Sequence, residues 1–201
     1  MVHFYFDMDG VLSVFDETAC LDKPFNRPGS HYFLSCEPDC RAVALFDAAR
    51  RTADAEAHVL TRIYLEIDDP DVLAAAIEEA ADDKLEWLHR HVAHDRMSAG
   101  FGYMPLRQVA SKSVVLAGVP MEERWSHVLV DDDPAILQDW VGAGGSGVQW
   151  LQAGRRVGKW ADGPVIGPGT SVQDAGAILW HAAKPAPRAD KNRHGAPSPV
   201  Q

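Results

Sequence analysis

The sequence HFYFDMDGVL, residues 3–12, joins an aromatic-rich apolar run directly to two aspartates. The run is typical of a strand with a buried side. Asp7 and Asp9 come where that strand should end, with one residue between them and Gly10 after them. Two carboxylates held close together repel each other unless a cation or a proton joins them. The pair therefore indicates chemistry at this point, although Asp-x-Asp-Gly is also a common turn sequence.

The composition describes an acidic globular protein. Its 201 residues, 46% of them apolar, suit one domain with a substantial core. The net charge of −10 argues against a nucleic-acid polymer as the main partner, because such binding rests on Lys and Arg. A small phosphorylated substrate remains compatible, since a divalent cation and a lysine can reverse the local field. The sequence does not indicate the oligomeric state.

Neither a membrane span nor a targeting signal is recognisable in the sequence. No apolar run approaches bilayer length, and the first residues lack a basic-then-apolar pattern, so we expect a cytoplasmic protein without a membrane partner. The three cysteines, Cys20, Cys36 and Cys40, imply no disulfide framework. With His31 they could form a zinc site, but their spacing is not that of paired-cysteine knuckles, and free thiols are the simpler interpretation.

Periodicity and breakers predict alternating strands and helices. The predicted strands are 3–7, 58–61, 127–130 and 148–151, and the predicted helices are 38–51, 71–91 and 135–141. The second helix could be two, broken near Asp82. Residues 112–117 fit either strand or helix, 95–111 are ambiguous, and 13–38 are irregular.

This alternation predicts a three-layer, Rossmann-like α/β domain with a central parallel sheet. Ligands of such sheets bind beyond the carboxyl ends of the strands. Three predicted strands end in polar residues that should share that edge: Asp7 with Asp9, Thr61, and Asp131 with Asp132. Such a convergence is the pattern of an active site.

These residue types suit phosphoryl transfer. Asp7 can ligate Mg²⁺ and attack phosphorus, and Asp9 can protonate the leaving oxygen and later deprotonate water. Asp131, with Asp132 beside it, can complete an oxygen shell for Mg²⁺. Candidate phosphate-binding residues are Thr61, Arg62 and Lys112. Each alone has a simpler interpretation: Asp131-Asp132 before Pro134 could merely cap a helix, and Lys112 could be a solvated lysine. We assign Asp133 to that cap or to solvent.

Together these motifs resemble the haloacid dehalogenase superfamily of phosphohydrolases. Residues 7–12 match its first motif, 59–61 its second, Lys112 its third and 129–132 its fourth, so that the resemblance covers about residues 1–155. Residues 129–134, the following Trp140 and the glycines of 143–148, as well as Lys112-Ser113 and residues 84–88, resemble its 5′(3′)-deoxyribonucleotidase-like and phage branch.

The resemblance implies specific roles and a domain plan. Asp7 would be the nucleophile and Asp9 the acid/base, while Mg²⁺ would be held by Asp7, the Asp9 main-chain carbonyl and Asp131. The domain would span residues 1–183, with insertions at 13–38 and 63–111 that could form a small or minimal cap. The composition of residues 184–201, dominated by Pro, Ala, Arg and Lys, predicts a disordered tail. The nucleotidases carry a helical cap between the first and second motifs. Residues 13–38 are shorter than such a cap and are interrupted by Pro and Gly.

Three functions are compatible with these features. The leading one is Mg²⁺-dependent hydrolysis of a phosphomonoester, such as a nucleotide, through an aspartyl phosphate. The same fold could serve a phosphatase for nucleic-acid 3′ ends or sugar phosphates. A non-catalytic relative would bind a phosphorylated ligand or a protein partner, but it would have no need of Asp9 as a proton donor.

Other patterns are better explained by structure. The glycines of residues 142–147 fit the dinucleotide fingerprint, but they follow a helix and precede a strand, so that we predict a helix-to-strand turn. The histidines near residues 89–94 do not share one helix face and indicate a solvated helix end. Trp87, Trp140 and Trp150 are predicted to pack in or near the core.

Overall fold

Six parallel strands form one sheet in this computed structural model, which describes residues 1–15, 28–92, 101–109, 111–154 and 157–184. The strands are β1 (Val2–Phe6), β2 (Ala55–Ile63), β3 (Phe101–Arg107), β4 (His127–Asp131), β5 (Ser146–Trp150) and β6 (Val165–Ile166). Their order across the sheet is β3-β2-β1-β4-β5-β6, with every neighbouring pair parallel. The predicted Rossmann-like α/β fold is therefore confirmed.

Helices cover both faces of the sheet. They are α1 (Cys40–Arg50), α2 (Pro70–His91), α3 (Pro134–Gly142) and α4 (Val172–Ala182), accompanied by short 3-10 helices at Phe33–Ser35, Lys112–Leu116 and Arg124–Ser126. Phe4 and Phe6 of β1 pack on the face that Phe46 of α1 and Leu179 of α4 cover. Because side chains alternate along a strand, Tyr5 points to the other face, where it packs with Trp140 of α3.

Among the described residues, an aspartate caps the N-terminus of three of the four α-helices. Asp39, Asp69 and Asp133 each accept hydrogen bonds from backbone N–H groups of the helix that follows. Pro70 and Pro134 occupy the first helical positions after two of these caps, where the lack of an N–H costs nothing. The predicted capping role of Asp133 is thus confirmed.

Several predicted boundaries need correction. The helix after Asp69 is continuous over 22 residues and does not break near Asp82. Strand β2 runs on to Ile63 and does not end at Thr61. Residues 112–116 form a 3-10 helix, which resolves the ambiguity between strand and helix. β3, β6 and α4 were not predicted, and most of the proposed tail, residues 185–201, lies outside the described residues.

The two insertions pack against each other beside the carboxyl edge of the sheet. A separate apolar cluster joins residues 32–36 of the first insertion, Ile63 at the end of β2, Leu65 just after it, and the first half of α2. Trp87 and Leu88, in the second half of α2, join the main core under the sheet. Helix α2 therefore packs against the main core with its second half and against the first insertion with its first half. The first insertion lies beside the carboxyl edge of the sheet, where ligands are expected to bind.

Gly145 offers a test of the packing between α3 and β5. A Cβ at this position would overlap the Nε1 and Cδ1 atoms of Trp140, a fully buried ring whose Nε1 donates to His127 O at 3.2 Å. We expect Gly145→Ala to lower the free energy of unfolding by about 1–3 kcal/mol, because an overpacked core must shift.

The matched control is Gly142→Ala, since a Cβ there meets no atom within 4 Å. It should change stability by less than about 0.5 kcal/mol or raise it slightly. Urea unfolding of both variants measures the difference, and equal midpoints would contradict this account of the α3–β5 contact.

Candidate active site

Asp7 follows the central strand at the carboxyl edge of the sheet. Its N–H donates to Val130 O at 2.9 Å, which continues the pairing of β1 with β4 and brings Asp7 beside Asp131. The chain then turns sharply, and Gly10 adopts a φ of 83°, a conformation that glycine takes without strain. The local fold thus holds the Asp7 carboxylate, 8% exposed, at the end of the strand.

Lys112 bridges two buried carboxylates. Its Nζ lies 2.8 Å from Asp7 Oδ1 and 2.6 Å from Asp131 Oδ2, and the lysine is 1% exposed. Met8 N–H donates to the same Asp7 oxygen at 2.7 Å. These contacts hold Oδ1 of Asp7 and do not involve its Oδ2.

Burial and opposite charge compete at this bridge. Burial alone would lower the pKa of Lys112, but Asp131 and Asp7 outweigh that effect and raise it, so the lysine stays charged. Burial raises the pKa of Asp131 to about 6, against the opposing attraction of Lys112. Asp131 is also held at Oδ1 by the N–H of Asp133, at 3.0 Å.

A second buried lysine, Lys84 of α2, contacts the other aspartate of the first motif. Its Nζ donates to Asp9 Oδ2 and, at 2.7 Å, to Thr61 Oγ1, while lying 4.4 Å from the centre of the Phe33 ring. Lys84 and Thr61 are both 0% exposed. Burial raises the pKa of Asp9, the positive charge of Lys84 lowers it, and the charge of Asp7 raises it, with a net upward shift. A raised pKa suits a carboxyl that must donate a proton near neutral pH.

Three carboxylates could share a cation. Asp7, Asp131 and Asp132 each offer an oxygen, and these oxygens lie within 4.8 Å of one another. All three residues are buried, and carboxylate oxygens are the donors that Mg²⁺ prefers. The donor set therefore fits the predicted Mg²⁺, although the Asp9 side chain belongs instead to the contact with Lys84.

A cleft of about 210 Å³ opens next to Asp9. It is bounded by three aromatic rings, one arginine and aliphatic side chains, and its lining comprises Asp9, Phe15, Phe33, Arg62, Ile63, Tyr64 and Leu65. The guanidinium of Arg62 lies 5.9 Å from the centre of the Tyr64 ring. Arg62 is thus a cleft residue, placed beside the predicted phosphate-binding position of Thr61.

The structure brings together six residues singled out in the sequence: Asp7, Asp9, Thr61, Lys112, Asp131 and Asp132. Sequence reasoning gave Lys84 no role in the site. A signal did exist, because the buried stripe of α2 runs through Ala80, Ala81, Lys84, Trp87 and Leu88, and a lysine within such a stripe needs a buried partner.

The remaining patterns have structural explanations. Trp87, Trp140 and Trp150 are fully buried, as predicted, and the glycine-rich segment is a turn in which Gly144 has a φ of 96°. His31 Nδ1 lies 3.0 Å from Asp83 Oδ1, so among the described residues it groups with acidic side chains and not with Cys36 or Cys40. Cys20 lies outside the described residues.

Comparison with known proteins establishes the fold. No protein-family model matches the chain, and no curated protein has a significantly similar sequence. D,D-heptose 1,7-bisphosphate phosphatase from Burkholderia thailandensis superimposes with a TM-score of 0.51 and 11% identity, over 88% of this chain and 97% of that one. CbbY from Rhodobacter sphaeroides, in complex with phosphate, gives 0.50 and 17%, over 89% and 99%.

At these identities the likeness concerns architecture, so the chemistry has to be argued from the site itself.

Among the described residues, no helix is both long and apolar enough to cross a bilayer.

Lys84 allows the electrostatics of the site to be tested through stability. In Lys84→Met the stem still packs near Phe33, but Asp9 loses its counterion. We expect the free energy of unfolding at pH 7 to fall by roughly 1–3 kcal/mol. A protonated Asp9 needs no counterion, so this loss should shrink as the pH falls through the pKa of Asp9.

Lys159→Met is the control, because Lys159 is an exposed lysine with no ion pair among the described residues. It should change stability by less than about 0.5 kcal/mol at any pH. Denaturant unfolding at several pH values provides the comparison. A loss in Lys84→Met that stays constant with pH would show that the Lys84–Asp9 pair is not its origin.

Proposed function

We propose that this protein is a Mg²⁺-dependent phosphomonoesterase of the haloacid dehalogenase type. The observation that carries the proposal is the Lys112 bridge, which holds Asp7 and Asp131 together, while Asp9, whose pKa is raised by burial, is held separately by Lys84. A purely structural charge cluster has no need of a second carboxyl of raised pKa beside the first. The neighbours in fold are named as a phosphatase and as a protein with bound phosphate, which is compatible with the proposal.

The geometry supports a two-step reaction. In the first step, Asp7 Oδ2 attacks phosphorus and the P–O bond to the leaving group breaks, while Asp9 gives its proton to the departing oxygen. In the second step, Asp9 accepts a proton from water, the water oxygen attacks the aspartyl phosphate, and inorganic phosphate leaves. Asp9 thereby recovers its proton, and Asp7 is again a carboxylate.

Two polar side chains can stabilise the transferred phosphoryl group. Lys112, next to Asp7, and the Thr61 hydroxyl can bind phosphoryl oxygens as charge develops on them. Mg²⁺ held by Asp7, Asp131 and Asp132 would neutralise further charge there. Lys84 stabilises ionised Asp9 after proton transfer, because its attraction opposes the effect of burial.

The lining of the cleft suggests the leaving group. The cleft next to Asp9 is lined by the rings of Phe15, Phe33 and Tyr64 and by Arg62. In the proposed reaction the leaving group is protonated by Asp9 and would therefore lie in this cleft. Aromatic rings stack well on a nucleobase. We therefore propose a nucleoside monophosphate as the substrate. A sugar phosphate is the second candidate, favoured by the heptose bisphosphate named for the neighbour in fold.

Replacement of the nucleophile tests the reaction. Asp7→Asn should reduce hydrolysis of an aryl phosphate by about 10³-fold or more while the unfolding curve keeps its shape, because an amide cannot form the acyl phosphate. Excess chelator should have a comparable effect on the unmodified protein.

The control is Asp133→Asn, which makes the same chemical change two residues from Asp131. Asn is as good a helix cap as Asp, so this variant should keep its activity. Activity that survives in Asp7→Asn or in excess chelator would contradict the mechanism. Calorimetry with Mg²⁺ and phosphate, run beside a turnover assay, tests the non-catalytic alternative. Binding without turnover would favour that alternative.

The cleft can be tested by comparing two substrates on one variant. Tyr64 is 50% exposed and borders the cleft. Tyr64→Leu keeps apolar bulk but removes the aromatic face. We expect KM for a nucleoside monophosphate to rise by about 5-fold or more, the equivalent of at least 1 kcal/mol of stacking, with little change for ribose 5-phosphate.

Steady-state kinetics with both substrates gives this comparison directly. Ribose 5-phosphate serves as the internal control, because it carries the same phosphoryl group without a base. Equal effects on both substrates would assign Tyr64 to the packing of the loop and remove the argument for a nucleotide.

A further inference from the structure

Three histidines and a glutamate share one face of the sheet, at the end opposite Asp7. His3 of β1 lies opposite Glu56 of β2 and His127 of β4, and His58 of β2 lies two residues beyond Glu56. Partners across a ladder and residues two apart along a strand point to the same face. The cluster is four residues from Asp7 along β1, or about 13 Å.

The donor atoms have the spacing of a tetrahedral metal site. Glu56 Oε2 lies 3.2 Å from His3 Nδ1 and 3.5 Å from His58 Nε2, and all three atoms are within 4.8 Å of one another. In a tetrahedral zinc site, whose bonds are about 2.0–2.1 Å long, neighbouring ligand atoms are roughly 3.3–3.4 Å apart. Two of the three separations already match this value.

His58 is the residue for which ordinary packing gives no account. Both of its ring nitrogens are buried and, within the described residues, neither makes a hydrogen bond of good geometry, since Nε2 has only the 3.5 Å contact with Glu56 Oε2. A neutral imidazole carries one donor and one acceptor, and leaving either unsatisfied in a buried place is costly. Burial lowers the pKa of His58, which leaves a neutral ring with a lone pair available at pH 7.

The neighbours of the cluster keep the rings in position. The rings of His3 and His127 are stacked, with centres 4.5 Å apart and planes within 12°. The Tyr5 hydroxyl lies 3.0 Å from His127 Nδ1, and it anchors the outer ring of the stack. Gly102 of β3 faces His58, and a Cβ there would come within 2.7 Å of His58 Nδ1. The absence of that side chain leaves room for the imidazole.

We propose that His3, Glu56 and His58 bind a zinc-type divalent ion through Nδ1, Oε2 and Nε2. Two imidazoles and one carboxylate are a common ligand set for such ions, whereas Mg²⁺ prefers oxygen ligands alone. His127 acts as a positioning residue through its stack on His3. The site joins β1 to β2 at a distance from the phosphoryl chemistry, so its role is structural and it stands independently of the proposed reaction.

Zinc titration of the metal-free full-length chain tests the site. Saturating Mg²⁺ first occupies the carboxylate site, and a chromophoric chelator then reports the free Zn²⁺. We expect one further equivalent of Zn²⁺ to bind and to raise the melting temperature. Glu56→Gln and His58→Asn should weaken this binding by roughly 100-fold and abolish the zinc-induced rise in melting temperature.

Two controls separate this site from others. His181→Asn changes an exposed histidine of α4 and should bind zinc like the unmodified chain. Asp131→Asn disables the carboxylate site and should retain the extra equivalent, whether or not the protein hydrolyses phosphate esters. The proposal is overturned if no additional zinc binds, or if Glu56→Gln and His58→Asn bind it as tightly as the unmodified chain.

Discussion

Buried negative charge at the carboxyl edge of the sheet is the constraint on which the rest of the structure depends. Asp7, Asp131 and Asp132 are each at most 8% exposed. A buried carboxylate without a cation costs several kcal/mol, so positive groups have to accompany these residues. Lys112 contacts two of them directly, and the position of β1 between β2 and β4 brings them within its reach. Such a cluster of buried charges lowers the stability of the fold. A cluster of this kind is therefore expected where its charges serve a function.

The site was predictable where a residue terminates a strand, because strand ends of a parallel sheet converge whatever the loops do. Asp7 and Asp131 each follow an apolar run, and this local pattern was sufficient to place them together. Lys84 was not predictable in the same way. Its partners Asp9 and Thr61 lie 75 and 23 residues away, and only the packing of α2 brings it to them. Its position in an apolar helical stripe could have shown that it is buried, but not what it contacts.

The two missed strands lack the usual sequence signals for physical reasons. In β3, Gly102 and Pro105 interrupt the pattern of a strand. The structure accommodates both, because Pro is tolerated on an edge strand and Gly102 makes room for His58. β6 has only two residues, Val165 and Ile166, which is too short for any periodicity. Tertiary context therefore decides the edges of this sheet, whereas its centre follows from the sequence pattern.

The two ends of β1 carry different metal-donor groups. Side-chain alternation puts His3, Tyr5 and Asp7 on one face, so that a single short strand leads from a group of imidazoles to a group of carboxylates. Nitrogen donors select borderline ions and oxygen donors select hard ones, so the two proposed sites would not compete for the same cation. Because β1 is paired on both sides, a charge cluster at either end is held by a rigid frame. In the proposed reaction, the precise placement that phosphoryl transfer demands of Asp7 would depend on the same strand that positions His3.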